Sequence, residues 1–277
     1  MVVEIEIICV GNELLIGKTL NTNAHWLAKR VTSLGAAVRR VTVVSDEIDE
    51  VASVVREALK RKPRFVITTG GLGPTFDDKT LAGIAKGLRR KFAVNENALK
   101  MVKKKYEIFL KEGKIEKVEL TPSRVKMATF PEGTKALRNH VGTAPGMLAS
   151  VGETSLIALP GVPPEMEAIF EESVTSMIKK EAGKCVFFEK SIYVDGLMES
   201  NLAPLIDQAM HNNSGVYIKS HVYGESRLRA EGQGPHIELH FSTTAEHRTV
   251  AKKQLDRAIG QLSLLVQKSG GRTSSPA

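Results

Sequence analysis

A glycine-rich segment at residues 68–80 is the part of the sequence best suited to chemistry. It holds three glycines and then two adjacent aspartates, namely Gly70, Gly71, Gly73, Asp77 and Asp78. Glycine lets the backbone approach a ligand closely, and a helix start presents free amides and a partial positive charge to an anion. The segment therefore predicts a phosphate site. The two aspartates suit a Mg²⁺-type ion shared with that phosphate, and helix capping is the alternative role for them.

Two further carboxylates follow predicted strands near the start of the chain. Glu13 comes just after the apolar run at residues 5–10, and Asp46 follows the apolar run at residues 41–44. Because ligands bind at the carboxyl ends of parallel strands, both side chains are expected at one edge of a sheet. The alternatives are a solvated loop position for Glu13 and a cap of the next helix, near Ile48, for Asp46.

Three more loops are expected at the same edge. The first, at residues 11–19, ends in Gly-Lys-Thr like a P-loop, but five residues separate its glycines and three of them are bulky and apolar. We expect no P-loop there, because successive amides can face a phosphate only where the residues are small. Loops 139–146 and 159–166 are rich in small residues, glycine and proline. Each loop alone fits ordinary turn chemistry, but four glycine-containing loops at one edge favour a binding site.

Alternating strands and helices must position these loops. Over the first 180 residues, short apolar runs alternate with segments whose apolar residues recur at helical spacing, as in Leu27, Val31 and Leu34. This rhythm predicts an α/β fold for residues 1–182, with a mostly parallel sheet and helices on both of its faces. One of the predicted strands covers residues 125–130.

The rhythm changes after residue 182. Residues 183–268 follow a strand–helix–strand–strand–helix order, which predicts a small α+β domain. The final residues, 269–277, are rich in glycine and serine and are expected to form a disordered tail.

The composition is that of an ordinary globular protein, with 42% hydrophobic and 25% charged residues among 277. No apolar run reaches the length of a membrane span, and no signal peptide is visible, so we expect no membrane contact. The two cysteines lie far apart, which predicts a reducing, cytoplasmic location. The net charge is +8, and residues 86–117 carry seven of those charges, mostly on a predicted helix. A solvated helix face is the favoured explanation, and attraction of a phosphorylated substrate is the alternative.

A nucleic-acid-binding protein is the main alternative from another class. The net positive charge and the order of elements in residues 183–268, similar to KH-like domains, permit it. That domain lacks a clear Gly-x-x-Gly clamp and paired aromatic residues on a strand, and its charges nearly cancel. We therefore expect no nucleic-acid partner.

Four motifs occur in order and at suitable spacing. They are Gly11-Asn12-Glu13-Leu14-Leu15 with Thr22-Asn23, the run Thr-Thr-Gly-Gly-Leu-Gly-Pro-Thr-Phe-Asp-Asp at 68–78, Gly142-Thr-Ala-Pro-Gly146 and Leu159-Pro-Gly-Val-Pro163. Together they resemble the amino-terminal domain of the CinA (competence/damage-inducible protein) family, which belongs to the molybdopterin-cofactor-biosynthesis superfamily. Residues 184–277 are similar to the small α+β domain that follows it in that family. The chain has no room for the carboxy-terminal nicotinamide-mononucleotide deamidase domain of longer members, so deamidase activity is not expected.

The resemblance implies divalent-metal-dependent hydrolysis of an ADP-ribose-like pyrophosphate to AMP and ribose 5-phosphate. The alternatives are a molybdopterin- or nucleotide-binding protein of the superfamily without hydrolysis, or a nucleic-acid-binding protein acting through the small domain. The run Gly-Gly-Leu-Gly-Pro-Thr differs from the Gly-Gly-Thr-Gly of the molybdopterin enzymes, which favours the CinA branch and weakens a molybdopterin assignment.

The resemblance also implies roles for individual residues. Asp46 and Asp78 are expected to be catalytic, and Asp77, Asp78 and Glu13 to hold Mg²⁺, Mn²⁺ or Co²⁺. The partner is expected to be a small phosphorylated nucleotide, and the protein to form a homo-oligomer. The residues expected to bind the substrate are Gly11, Asn12, Lys18, Gly70, Gly71, Gly73, Thr75, Gly142, Gly146, Pro160 and Gly161.

Overall fold

The chain divides into two compact units, Met1–Ala182 and Gly183–Ala277. The structure is a computed structural model that describes residues 2–222 and 236–275. Within those two ranges, no helix combines the length and the apolar character needed to cross a membrane.

The first unit is built on a six-stranded sheet with a separate two-stranded pair. Its strands are β1 (Glu4–Val10), β2 (Ala37–Val44), β3 (Phe65–Thr69), β4 (Phe92–Val94), β5 (Thr129–Pro131), β6 (Lys135–Leu137), β7 (Gly146–Val151) and β8 (Thr154–Leu159). The six strands lie in the order β2-β1-β3-β8-β7-β6, and β4 pairs with β5. The first four strands of the sheet are parallel, β7 runs antiparallel to β8, and β6 runs antiparallel to β7. The predicted mostly parallel sheet is confirmed.

Helices cover both faces of this sheet. They are α1 (Asn12–Leu15), α2 (Thr22–Ser33), α3 (Ile48–Lys60), α4 (Thr80–Leu88), α5 (Glu96–Lys111), α6 (Pro122–Lys126), α7 (Pro163–Ile169) and α8 (Thr175–Ala182), with a π-helical turn, Phe170–Val174, between the last two. Successive residues of β1 alternate between two cores, since Ile8 packs with Val55 of α3 and Ile7 packs with Leu27 of α2. Because β1 is buried on both faces, its residues are apolar on both sides of the sheet apart from Glu4 and Glu6.

The strand predicted at residues 125–130 is wrong in its first half. Thr121 caps a short helix by accepting a hydrogen bond from the amide of Arg124, and Pro122 occupies the first helical turn. Residues 122–126 are therefore helical, and only Thr129–Pro131 forms a strand. Proline with a preceding threonine is a helix-start signal, and it outweighed the apolar residues that suggested a strand.

The second unit is a four-stranded antiparallel sheet with two helices. Its elements are β9 (Val186–Asp195), α9 (Glu199–Asn212), β10 (Val216–Val222), β11 (His236–Ala245), α10 (Arg248–Lys268) and β12 (Arg272–Ser274). The strand order is β10-β11-β9-β12. The helices pack on one face of the sheet, where Leu202 and Leu255 join the core with Leu239.

The predicted disordered tail at 269–277 is wrong for residues 272–274, which form β12 and pair with β9. Backbone hydrogen bonds to a strand edge need no apolar side chains, so the composition gave no sign of this strand. The second unit therefore ends with a fourth strand, whereas the predicted strand–helix–strand–strand–helix order ended with a helix. The last two residues lie outside the described ranges.

Two acidic residues of β1 pair with arginines in contrasting surroundings. Glu6 is 4% exposed, and its two oxygens accept hydrogen bonds of 2.7 Å from Nε and Nη2 of Arg61. Glu4, two residues earlier, pairs with Arg39 at 2.8 Å, and both side chains are about half exposed. Strand β1 thus carries one glutamate that is buried in its ion pair and one that is exposed in its ion pair, and the exposed pair can serve as a control for the buried one.

We expect Arg61→Ala to lower the free energy of unfolding by about 2 kcal/mol, because it leaves a buried carboxylate unpaired, although Arg61 itself is partly solvated. Arg39→Ala is expected to cost less than about 0.5 kcal/mol, as for other exposed pairs. Urea denaturation of both variants measures the difference. Equal losses in the two variants would contradict this account of Glu6.

Candidate functional site

A cavity of about 450 Å³ opens at the carboxyl ends of β1, β3 and β8. The residues predicted from the sequence that line it are Glu13, Asp46, Gly70, Gly71, Gly73, Asp77, Asp78, Pro160 and Gly161. The predicted residues outside its lining are Gly11, Asn12, Lys18, Thr75, Gly142 and Gly146. The structure thus brings all four proposed carboxylates to one cavity, and it leaves the proposed lysine out.

Glycines allow the loops around the cavity to pack against one another. Gly70 has a φ of +103°, and a Cβ atom there would lie 2.2 Å from the carbonyl oxygen of Val10. Its amide donates to the carbonyl oxygen of Leu159 at 3.1 Å. A Cβ atom on Gly161 would lie 3.3 Å from the Cα of Gly70. The ends of β1, β3 and β8 therefore meet backbone to backbone at Gly70.

Three successive amides follow this meeting point. Within residues 2–222 and 236–275, the amides of Gly71, Leu72 and Gly73 have no hydrogen-bond partner. The side chain of Leu72 is 3% exposed and packs in the core, which anchors the segment. Successive unpaired backbone N–H groups in a turn are a typical anion-binding arrangement.

Asp77 and Asp78 do not cap helix α4, which begins at Thr80 with no side-chain cap. They are held by Thr75 instead. The hydroxyl of Thr75 lies 2.5 Å from Oδ1 of Asp77 and 2.6 Å from Oδ2 of Asp78, and the latter oxygen also accepts from the Thr75 amide at 2.8 Å. The Thr75 carbonyl in turn accepts a hydrogen bond from Lys126. Thr75 thus positions both carboxylates without lining the cavity.

The hydrogen bond from Thr75 lowers the pKa of Asp77 below its usual value, with smaller contributions from its own backbone amide and from Lys126 and Lys79. Thr75→Val removes this hydroxyl, so we expect the pKa of Asp77 to rise towards the ordinary value. The side chain is fully exposed, so the change is a local one and not a measure of stability. An NMR pH titration of the Asp77 carboxyl carbon checks the direction, and an unchanged midpoint would contradict it.

Asp46 and Glu13 lie beside α1. Asp46 is 9% exposed, and its Oδ2 accepts a hydrogen bond of 2.8 Å from the amide of Asn12. The expected alternative role, a cap of the helix near Ile48, is not observed, because α3 has Glu47 at its N-cap without a side-chain hydrogen bond. A Cβ atom on Gly11 would lie 2.5 Å from Oε1 of Glu13, so that carboxylate folds back over the start of the loop.

The loop at residues 11–19 is not a P-loop, as expected. The amides of Lys18 and Thr19 both donate to the carbonyl oxygen of Glu13, at 3.0 and 3.1 Å. Because these amides are paired within the loop, they do not face the cavity as a phosphate cradle would require.

The loop at residues 139–146 contributes Thr143 and Ala144 to the cavity rather than its glycines. Asn139 organises this loop, since its Oδ1 accepts from the Gly142 amide at 2.7 Å and its Nδ2 donates to Glu165 at 2.6 Å. Gly142 and Gly146, which were predicted to bind the substrate, lie outside the cavity lining and pack closely against neighbouring groups. A Cβ atom on Gly142 would lie 1.9 Å from the Glu165 carboxylate, and one on Gly146 would lie 3.0 Å from the Ala158 carbonyl oxygen.

A lysine of the basic segment at 86–117 supports the same loop. The Nζ atom of Lys105, on α5, donates to the carbonyl oxygens of His140 and Val141 at 2.9 Å each. Helix α5 buries Ala98 and Val102, and several of its lysines stay at the surface. The expected solvated face is thus present, and one of its charges also holds a loop of the site.

The predicted metal ligands do not form a ready-made cage. In the described part of the chain, no three histidine, cysteine or acidic side chains are close enough together to hold a metal ion. Asp77 is exposed, Asp78 is half-buried, and the two carboxylates share one hydroxyl. This donor set fits a Mg²⁺-type ion, which in proteins commonly takes one or two carboxylates and completes its shell with substrate phosphates and water.

Asn23 is the main residue that sequence reasoning left out of the site. It lines the cavity and is 9% exposed. Its Nδ2 donates to Oγ1 of Thr69 at 3.0 Å and to the carbonyl oxygen of Gly161 at 2.8 Å, so it ties α2 to the ends of β3 and β8. The Thr-Asn pair was visible as part of the first motif, but nothing in its local sequence indicated burial.

The chain is similar to several known proteins along most of its length. A family model described as "Probable molybdopterin binding domain" matches residues 6–180. A relative from Metallosphaera sedula is 41% identical over 266 residues, which cover 96% of this chain and 95% of the relative. A relative from Pyrobaculum aerophilum is 43% identical over 269 residues, covering 97% and 96%. The solved structure of the protein CinA from Thermoplasma acidophilum is 42% identical, with a TM-score of 0.58, and covers 64% of this chain and 98% of that one.

Proposed function

The chain belongs to the family of probable molybdopterin-binding domains and has a CinA-like amino-terminal domain; from this premise we propose that its first unit binds a phosphorylated nitrogen heterocycle. Molybdopterin and nucleotides are both of this class. The family match supports binding of this kind more than the hydrolysis expected from the sequence.

The observation that carries the proposal is the run of three unpaired amides at Gly71, Leu72 and Gly73, inside a cavity of about 450 Å³. A phosphate seated there satisfies amides that are otherwise without partners, and buried or half-buried N–H groups are seldom left so. The volume lies in the range of small-molecule sites, about 300–1,000 Å³. The three amides are therefore suited to the phosphate, and the remaining space of the cavity to the heterocycle.

Asp77 and Asp78 are the residues that would hold a divalent ion against this phosphate. Such an ion would neutralise phosphate charge beside two carboxylates that otherwise repel it. Thr75 keeps the two carboxylates together, and Lys126 fixes the position of Thr75. Asp77 is ionised at neutral pH, as an aspartate with an ordinary pKa also is, and the Thr75 hydrogen bond lowers its pKa further.

Hydrolysis of an ADP-ribose-like pyrophosphate is the second candidate, and Asp46 is the observation in its favour. This buried carboxylate lines the cavity, and only one of its oxygens has a hydrogen-bond partner among the described residues, the Asn12 amide. The other oxygen is free to accept a proton from an attacking water.

The homo-oligomer and the cytoplasmic location stay predictions.

The proposal is tested by titration calorimetry of pyrophosphate and of guanosine 5′-monophosphate, each with and without Mg²⁺. We expect both to bind, and Val162→Asp to weaken both by about tenfold, because it places a negative charge in the cavity wall. Val94→Asp is the matched control, since Val94 is similarly exposed (47% against 53%) and lies outside the cavity lining. Equal weakening by the two variants, or no binding to the wild type, would overturn the proposal.

A further inference from the structure

Helix α5 and strand β6 border a groove on the surface of the first unit. Two cavities of about 540 and about 270 Å³ lie along it, and they are continuous because both are lined by Met101 and Lys104. The basic residues of the two linings are Lys100, Lys104, Lys105, Lys135 and Arg138. Neither lining includes an aspartate or a glutamate of the described residues. This surface, drawn from residues 97–108 and 134–140, is named the α5–β6 groove.

Most of the positive charge in the α5–β6 groove is not neutralised within the protein. The side chains that form no ion pair or hydrogen bond with any described residue are Lys100, Lys104, Lys135 and Arg138. Other lysines of the basic segment do find carboxylates, since Lys86 pairs with Asp49 and Lys114 with Glu112. Lys100 and Lys104 are one helical turn apart, where like charges repel each other. A bound anion would relieve that repulsion.

Apolar and aromatic side chains lie between these charges. Met101 and Ile108 of α5 line the smaller cavity together with His140, and Ile108 is 39% exposed. Nucleobases stack on rings such as that of histidine and on apolar surface, whereas lysine and arginine bind backbone phosphates. A chain of phosphates alone would leave the apolar surface unused. The cavity volumes suit single nucleotides better than a duplex.

We propose that the α5–β6 groove binds single-stranded nucleic acid, with phosphates at its unpaired cations and bases against Met101, Ile108 and His140. The groove shares no lining residue with the cavity at the ends of β1, β3 and β8, so this inference does not rest on the proposed function. The expectation against a nucleic-acid partner came from the second unit, whose charges nearly cancel. The groove belongs to the first unit.

The test measures binding of a fluorescein-labelled oligothymidylate of about ten nucleotides to the full chain by fluorescence anisotropy. If phosphates contact the four unpaired cations, a plot of log affinity against log salt has a slope of about −3. We therefore expect the affinity to fall about 50-fold between about 50 and about 200 mM salt. An oligodeoxycytidylate of the same length should bind within about threefold, because phosphate contacts carry no sequence information.

Lys104→Gln and Lys103→Gln make the same change of charge at adjacent positions of α5. Both lysines are exposed, but of the two only Lys104 lines the groove. We expect Lys104→Gln to weaken binding about fivefold and to make the salt slope shallower by about 0.7, and Lys103→Gln to change affinity less than about twofold. Lys135→Gln, on the facing wall, should behave like Lys104→Gln. Melting temperatures of the three variants check that the fold is kept.

Three results would overturn the inference. The first is absence of binding by both oligonucleotides at about 50 mM salt, where electrostatic attraction is strong. The second is equal weakening by Lys103→Gln and Lys104→Gln, which would indicate diffuse attraction to the whole helix face. The third is binding of inorganic tripolyphosphate that depends on Lys104 while the oligonucleotides do not bind, since this would assign the groove to a small phosphate chain.

Discussion

Gly70→Ala is expected to lower the free energy of unfolding of the first unit by about 3 kcal/mol or more. The added Cβ atom would lie 2.2 Å from the carbonyl oxygen of Val10, and Gly70 has a φ of +103°, which side-chain-bearing residues rarely adopt. Backbone strain of this kind costs about 1–3 kcal/mol, and forced displacement of packed atoms costs a similar amount. Because the ends of β1, β3 and β8 meet at Gly70, the same change should also disturb the cavity.

Gly113→Ala is the matched control for this prediction. Gly113 also has a positive φ, +68°, but nothing lies within 4 Å of the position of an added Cβ atom. The control therefore isolates the backbone strain, which we expect to cost about 1 kcal/mol. Urea denaturation and nucleotide titration of both variants are the measurements. Equal destabilisation would show that the close approach to Val10 is unimportant.

On the hydrolysis proposal, Asp78→Asn is expected to lower the turnover of ADP-ribose by about 100-fold or more. The variant removes one negative charge from the pair of carboxylates that would hold the metal ion. The asparagine oxygen can still accept the hydrogen bond from the Thr75 amide, so the loop should keep its conformation. Release of AMP in the presence of Mg²⁺, Mn²⁺ or Co²⁺ is the measurement, and binding of metal-free nucleotide should change only about two- to threefold.

The control for this substitution is Asp49→Asn, which changes an exposed aspartate of α3 that pairs with Lys86 at the surface. We expect it to have no effect on turnover. Unimpaired turnover in Asp78→Asn would exclude Asp78 from the reaction. Absence of turnover in the wild type under all three metals would remove hydrolysis and leave the binding proposal in place.

The parallel sheet and its ligand edge could be predicted because local patterns dictate them. The runs that became β1 and β3 are mostly buried and rich in apolar residues, and each ends at a loop containing glycine. A strand covered by helices on both faces needs such a run, so the sequence carries the signal directly. The gathering of Glu13, Asp46 and Asp78 at one cavity follows from the same parallel order.

The finer roles depended on tertiary contacts that leave little local signal. Asp77 and Asp78 could be read as helix caps, and only the structure shows that Thr75 holds them and that α4 starts at Thr80. The burial of Asn23 arises from contacts with residues 46 and 138 positions further along the chain. The strand at 272–274 depends on the edge of β9.

The amides of Gly71, Leu72 and Gly73 are proposed to bind the phosphate of a heterocyclic ligand. The most direct measurement is an NMR titration of the ¹⁵N-labelled protein with guanosine 5′-monophosphate, following backbone amide signals. We expect the signals of these three residues to shift together and saturate, and pyrophosphate to shift them in the same way. Saturable binding that leaves these three signals unmoved would contradict it.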